Sequence, residues 1–397
     1  MSGILVAGGV YRERCIWPNW QQTFGSAGRA ACALADFGLP VTLVSCASPA
    51  VETEFAPQAR ISKVEFRPTP ATDSILFDYV HSMSIPRIWP DPARIKQEPT
   101  LQASSEIVLR FGMIESTVVV DAQTCVYDPQ SAFRPEPFVE NGSRAQRLAI
   151  VANRSEVRGL GRDGDAMTAA RRLLADTGAE VVVMKSGTDG ALVVTAGCEE
   201  LVPAYQTERV WTVGSGDVFA AAFTAWWGEK GLPPAEAAHL ASRATADYVA
   251  SMALPINARL PDVPETRRKV VGHGARVYLA APFFNLGQRW LVDEARRCLR
   301  ELGMDVFSPV HDVGHGPAEQ VAPEDLRALR DCDLVFALLD GLDSGTVFEA
   351  GYARAIGKPV YALAQSTRGE DLKMVTGSGC QVYEDLVTAL HHMHWRA

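Results

Sequence analysis

The eight cysteines of this chain include no C-x-x-C pair and no spacing that suits a metal. Cys15, Cys32, Cys46, Cys125, Cys198, Cys298, Cys332 and Cys380 therefore read as reduced thiols of a cytoplasmic protein, and no metal site is expected. The sequence also lacks an apolar run of about 18 residues, the length that would suggest a membrane span. Its opening, MSGILVAGGVYRERC, holds too short an apolar run for a signal peptide. No long Lys/Arg run offers a basic face, and a net charge of −9 argues against nucleic-acid binding. Small molecules are the expected partners. The hydrophobic share of 47% is enough for real cores, and 397 residues suggest two or three domains.

The most informative stretch is 331–357, DCDLVFALLDGLDSGTVFEAGYARAIG. The apolar run from Leu334 to Leu339, bounded by Asp333 and Asp340-Gly341, predicts a strand buried on both faces, as in a parallel sheet. Val347, Phe348, Ala350, Tyr352 and Ala355 then keep helical spacing. Ser344 or Thr346 would cap that helix, which puts Glu349 near its first turn. Asp343 and Glu349 thus flank the C-terminal end of a parallel strand, where open α/β sheets place ligands. A glutamate at a helix start is held ionised by the partial positive charge there, and an ionised carboxylate can attack an anomeric carbon. Spacing alone leaves open a plainer role for Glu349, that of favouring the helix dipole.

Leu338 to Ala353 resembles the signature of the nucleoside 2-deoxyribosyltransferase family, D-x-G-x-x-x-E-x-G-Y-A. Asp343, Gly345, Glu349, Gly351, Tyr352 and Ala353 meet it. Val277 to Phe284 is similar to that family's opening strand and Tyr-containing loop, which brings in Tyr278, Phe283 and Phe284. Glu324-Asp325-Leu326 precedes Asp331-Cys332-Asp333 at the spacing of its base-contacting aspartate. The resemblance implies Glu349 as nucleophile, Asp343 and Tyr278 orienting it and the sugar, and Asp325 hydrogen-bonding the base and protonating it as it leaves. It implies no cofactor. In that family an asparagine from a neighbouring subunit often completes the site, so a homo-oligomer is expected. No equivalent asparagine stands between Gln365 and Gln381, which favours hydrolysis, as in the related deoxynucleotide N-hydrolases. The Ser344/Gly345/Thr346 loop and Ser378-Gly379 are candidates for holding a 5′-phosphate.

The first half opens with a short strand, Ile4 to Ala7, a small-residue helix, Gly25 to Phe37, and a strand, Val41 to Ser45. Short strands and frequent prolines between Ala47 and about Thr100 suggest a small accessory sheet or lid, with Ser74 to Tyr79 its clearest strand. Val118–Ala122, Arg147–Ala152, Val181–Lys185 and Ala191–Thr195 are further strands. Trp211-Thr212-Val213-Gly214-Ser215-Gly216-Asp217 then leads into an apolar helix. Such a G-x-G-D turn presents unpaired N–H groups and a helix dipole to an anion. Asp217 beside it could act as a general base on a hydroxyl, or simply cap the helix.

That turn resembles the anion hole and catalytic base of the ribokinase-like (PfkB-type) sugar and nucleoside kinases. Asn153-Arg154-Ser155-Glu156 is similar to their N-x-x-E motif, associated with a magnesium–phosphate network. Val181 to Gly187 and Asp189-Gly190-Ala191 are similar to the segment that follows. The resemblance implies Gly214, Ser215, Gly216, Asn153 and Glu156 as phosphate or nucleotide contacts, Asp217 as the base, and ATP with Mg2+ as cofactors. The chain departs from the family at three places. Trp211 stands where an acidic residue is usual, Gly25 to Ala30 lacks the asparagine of the sugar motif, and Val10-Tyr11-Arg12-Glu13 replaces the early aspartate.

Pro255 to Gly274 has the composition of a linker, and its Arg267-Arg268-Lys269 cluster reads as solvated. Beyond it, apolar strands alternate with helical patterns to the end of the chain. That alternation predicts a doubly wound parallel sheet. His311, in the loop Pro309 to Gly316, is placed to line a base or phosphate pocket. The terminal His391-His392-Met393-His394 reads as a frayed helix end. The expected architecture is α/β throughout. A ribokinase-like domain would occupy 1–258, a linker 259–273, and a flavodoxin-like (Rossmann-type) parallel sheet 274–397.

Overall fold

The computed structural model describes residues 3–131, 134–272 and 274–396. The chain divides into two compact units, Met1–Val270 and Val271–Ala397. Among the described residues no helix is long and apolar enough to cross a membrane.

In the first unit β1 (Ile4–Ala7) is apolar and buried throughout, as a central parallel strand must be. Ile4 and Val6 join one core cluster while Leu5 and Ala7 join the other, so both sheet faces are covered. β2 (Arg12–Cys15) and β3 (Trp20–Thr23) form an antiparallel pair. α1 (Gly25–Ala33) is buried along nearly its whole length, as its small side chains allow. β4 (Val41–Ala47), α2 (Pro49–Ile61) and β5 (Val64–Pro70) follow. β6 (Leu76–Tyr79) and β7 (Arg87–Trp89) complete a four-stranded accessory sheet in the order β3-β2-β6-β7. Half of that sheet thus comes from 12–23, ahead of the region where the sequence suggested it. Those strands are polar and are held across the sheet by pairs such as Arg14 with Asp78, at 2.9 and 2.6 Å.

β8 (Leu101–Phe111), β9 (Val118–Asp128) and β10 (Arg144–Asn153) are long strands. α3 (Arg154–Gly161), α4 (Ala166–Thr177), β11 (Val181–Lys185), β12 (Ala191–Thr195), β13 (Glu199–Val202) and β14 (Ala204–Tyr205) come next. α5 (Ser215–Phe223) continues into a π-helical segment, Thr224–Glu229, and α6 (Pro234–Ser251) packs beside it. The main sheet has nine strands in the order β13-β12-β11-β10-β9-β8-β1-β4-β5. All its pairs are parallel except those made by β12. Neighbouring parallel strands β9, β10 and β11 therefore end side by side at Asp128, Asn153 and Lys185, with Asn153 opposite Lys185.

The expected linker 259–273 is, through residue 270, part of this unit. Leu260 is buried, and β15 (Lys269–Val270) pairs with β14. Arg267 is not merely solvated, since it bonds Asp247 and Glu265, and Arg243 also reaches Glu265. Specific ion pairs and one apolar anchor outweigh the proline content here. His273 lies outside the described residues.

The second unit alternates strand and helix. It runs β16 (Arg276–Ala280), α7 (Leu286–Glu301), β17 (Asp305–Phe307), α8 (Pro309–Asp312) and α9 (Ala318–Asp331). β18 (Leu334–Leu338), α10 (Ser344–Ala355), β19 (Val360–Leu363), α11 (Lys373–Gly377), β20 (Gln381–Tyr383) and α12 (Leu386–Trp395) complete it. Its five strands are all parallel, in the order β17-β16-β18-β19-β20. The chain reverses direction across the sheet between β16 and β18, the place where such sheets open a crevice. α12 is packed rather than frayed. His391 is buried, its ring Nδ1 lies 2.8 Å from Val387 O, and burial brings its pKa down to about 4.

Candidate active sites

At the β16/β18 crevice, Tyr278 projects from β16 and its hydroxyl donates to Glu349 Oε1 at 2.5 Å. Glu349 comes from the second turn of α10, because Asp343, not Ser344 or Thr346, caps that helix. Asp343 Oδ2 accepts from the N–H and the hydroxyl of Thr346 at 2.9 and 3.0 Å. Burial pushes Glu349 up to about 7, the bond from Tyr278 pulls the other way, and the charges of Asp325 and Asp343 push it up again. The helix dipole therefore does not hold this carboxylate ionised, as the sequence suggested. Desolvation and its acidic neighbours outweigh the dipole. Burial and Glu349 likewise raise the Tyr278 hydroxyl well above its usual range.

Asp325, from α9, is raised to about 6, first by burial and then by Glu324. Its Oδ1 is buried with no hydrogen-bond partner among the described residues. An unsatisfied carboxylate oxygen in a crevice is suited to a donor brought by a ligand. Tyr278, Asp325, Asp343 and Glu349 are thus brought together electrostatically.

The remaining sequence candidates have other attachments. Thr346 is buried and buttresses Asp343, while Ser344 and Gly345 lie exposed at the helix start. His311 sits in α8, tied to Ser308 at 3.0 Å and Asp293 at 2.9 Å. Phe283 packs on Phe284 and edge-on to His315. The hydroxyl of Tyr352 accepts from Arg330 at 2.7 Å.

The first unit holds a cavity of about 840 Å³ whose lining includes Tyr11, Glu13, Phe77, Asn153, Lys185 and Asp217. Gly214 (φ +80°) starts α5, and a Cβ there would lie 2.2 Å from Arg29 Nε, so only glycine fits. The N–H groups of Gly216 and Asp217 fall in the helix's first turn, where no partner exists within the helix. Gly214, Ser215 and Gly216 all line the cavity. Asn153 and Glu156 form a reciprocal capping box for α3 at 2.9 and 2.8 Å, with both residues also on the cavity wall.

Asp217 is heavily engaged. Its Oδ2 accepts from Arg29 Nη1 at 2.8 Å and its Oδ1 from Gln130 Nε2 at 3.0 Å. Arg29, fully buried, also forks onto both oxygens of Glu13. Burial raises Glu13, with Arg29 opposing. Beside them Lys185 Nζ pairs with the buried Asp128, whose Oδ1 has no partner among the described residues. Arg29, Glu13, Gln130 and Asp128 went unnoticed as site residues in the sequence. Arg29 sits inside the departed sugar motif and Glu13 inside the departed early-aspartate segment, so those departures were the available signal.

Residues 277–383 match the family model for nucleoside 2-deoxyribosyltransferase, and residues 126–254 match that for the pfkB family carbohydrate kinases. The chain thus joins segments related to two enzyme families, one within each unit. A fructokinase from Vibrio cholerae, solved with fructose, ADP and calcium ion, is 14% identical. It aligns over 66% of this chain and 99% of its own, with a TM-score of 0.50. A ribokinase from Thermotoga maritima is 16% identical over 66% of this chain and 99% of its own, with a TM-score of 0.49. The 2-dehydro-3-deoxygalactonokinase of Haloferax volcanii is 40% identical over 75 residues. That is 19% of this chain and only 24% of the kinase. The fructokinase likeness shows a ribokinase-like α/β fold for the first unit, and the second is a flavodoxin-like parallel sheet.

Proposed function

We propose that the second unit breaks the N-glycosidic bond of a 2′-deoxynucleoside or its 5′-monophosphate. The observation that carries this reading is the hydroxyl of Tyr278 held on Glu349 at 2.5 Å, inside a crevice that Asp325 and Asp343 also reach electrostatically. In its ionised form Glu349 attacks C1′. The C1′–N bond breaks with its electron pair going to the base, and Asp325, protonated, delivers a proton to it. A glycosyl-enzyme ester remains. Water releases the sugar, or a second base takes it. Tyr278 orients the nucleophile and Asp343 fixes the start of α10. Deprotonated Asp325 is then available to activate the incoming water or base.

For the first unit, the engagement of both Asp217 oxygens supports a binding module for a phosphate-bearing ligand rather than a working kinase. A carboxylate held through both oxygens is not free to turn toward a hydroxyl brought by a ligand.

The test is release of free base from ribo- and deoxynucleosides and their 5′-monophosphates, with and without a second base. Wild type, Glu349→Ala and the isosteric Glu349→Gln are compared. Deoxy-specific release that both variants lose supports the reading, and dependence on a second base makes the enzyme a transferase. Undiminished release in both folded variants removes Glu349 from the chemistry.

A further inference from the structure

The kinase-like fold of the first unit implies a divalent cation among its carboxylates, and the residues present do not suit one. Asn153 Oδ1 and Glu156 Oε2 are already taken up by their capping box. Asp128, at the end of β9, faces an ammonium, Lys185 Nζ. The charges of Asp128, Glu156 and Asp217 all favour the protonated form of that amine, against the cost of its burial. A divalent ion placed among the same carboxylates would meet a fixed positive charge at their centre.

Lys185 is also where a cation would be useful. β11 delivers it to the cavity wall beside Asn153. Its Nζ is 3.3 Å from the point a β-carbon on Gly216 would occupy, which puts the charge at the open N-terminus of α5. An ammonium has N–H donors beyond the one given to Asp128, and the helix start adds its own N–H groups and partial positive charge.

We propose that Lys185 is the resident cation of this cavity, and that the first unit binds a nucleoside diphosphate or similar phosphate-bearing ligand without a divalent metal. This rests on reading the first unit as a phosphate-binding module.

The experiment is calorimetric titration of the full chain with ADP, once in EDTA and once in excess Mg2+. Wild type should bind with the same Kd within about twofold in both. Lys185→Met should lose roughly tenfold or more of the affinity in EDTA, the worth of a charged hydrogen bond, and regain part of it in Mg2+. Because that variant leaves Asp128 buried and unpaired, Asp128→Asn/Lys185→Met is titrated alongside it, and it should show the same loss. Binding by wild type only when Mg2+ is present overturns the inference and leaves the phosphate-binding module standing. Absence of ADP binding in both conditions overturns the module itself. Unaltered metal-free affinity in both lysine variants also overturns the inference.

Discussion

Two carboxylates, each in the opening turns of a helix, meet different partners in this chain. Asp217 is fixed between the buried guanidinium of Arg29 and the amide of Gln130. Glu349 has one hydroxyl for company and two further acids as neighbours. The first arrangement ties up both carboxylate oxygens in fixed hydrogen bonds. The second holds a carboxylate near its titration midpoint at neutral pH, where it can exist in either form. A helix start by itself therefore does not decide what an acidic residue there will do. The groups that reach it from other strands and helices decide.

The largest effect that would sharpen this contrast is on catalysis. Glu349→Gln should lower base release by roughly three orders of magnitude or more, the scale of losing a nucleophile. Next comes Arg29→Met, which takes the shared guanidinium away from buried Glu13 and Asp217. Breaking such a cluster typically costs about 3–5 kcal/mol. Chemical denaturation should show the first unit unfolding earlier, and an unchanged midpoint would mean the cluster is not a structural clamp.

Glu349→Gln should also change stability, in the opposite direction. The folded pKa of Glu349, about 7, lies above the ordinary 4.5. Its contribution to stability is thus complete below about pH 4.5 and is lost as the pH rises through about 7. Glutamine escapes that loss. The variant should gain up to about 3 kcal/mol at pH 8 and nothing near pH 4. Thermal scans at the two pH values check this, and equal shifts at both would contradict the raised pKa.

The smallest effect is a displaced pH profile. With Asp325 near 6 and Glu349 near 7, the singly protonated pair carries activity, and kcat/KM should be bell-shaped about pH 6.5. The productive arrangement, with the proton on Asp325 and Glu349 ionised, is its minority form. Tyr278→Phe removes the bond that draws Glu349 down, so the alkaline limb should move to higher pH while the maximum rate falls. A limb that stays put would show that Tyr278 does not tune the nucleophile.

Much of this was legible in the sequence because apolar runs dictate buried strands. β1, β11, β12 and β18 lie within a residue of where their patterns put them. β2 and β3 were not legible, since RERC and WQQT carry no apolar alternation and β2 takes its second partner, β6, from far along the chain. The acid cluster of the second unit was readable through family-like motifs at three separated places. The raised pKa of Glu349 was not, because its burial arises only once α9, α10 and β16 are packed. Arg29 shows the same limit. Within a helix of small residues it looks like a surface charge, and only Glu13 and Asp217, far away in sequence, make its burial tolerable.

The distribution of thiols has a practical consequence. Seven of the cysteines are buried and Cys198 alone is exposed. A maleimide dye offered to the native protein should therefore attach at one position, on the turn between β12 and β13, without any cysteine being removed first. Labelling beyond one equivalent would then report opening of a core, which makes dye stoichiometry a direct clock for unfolding.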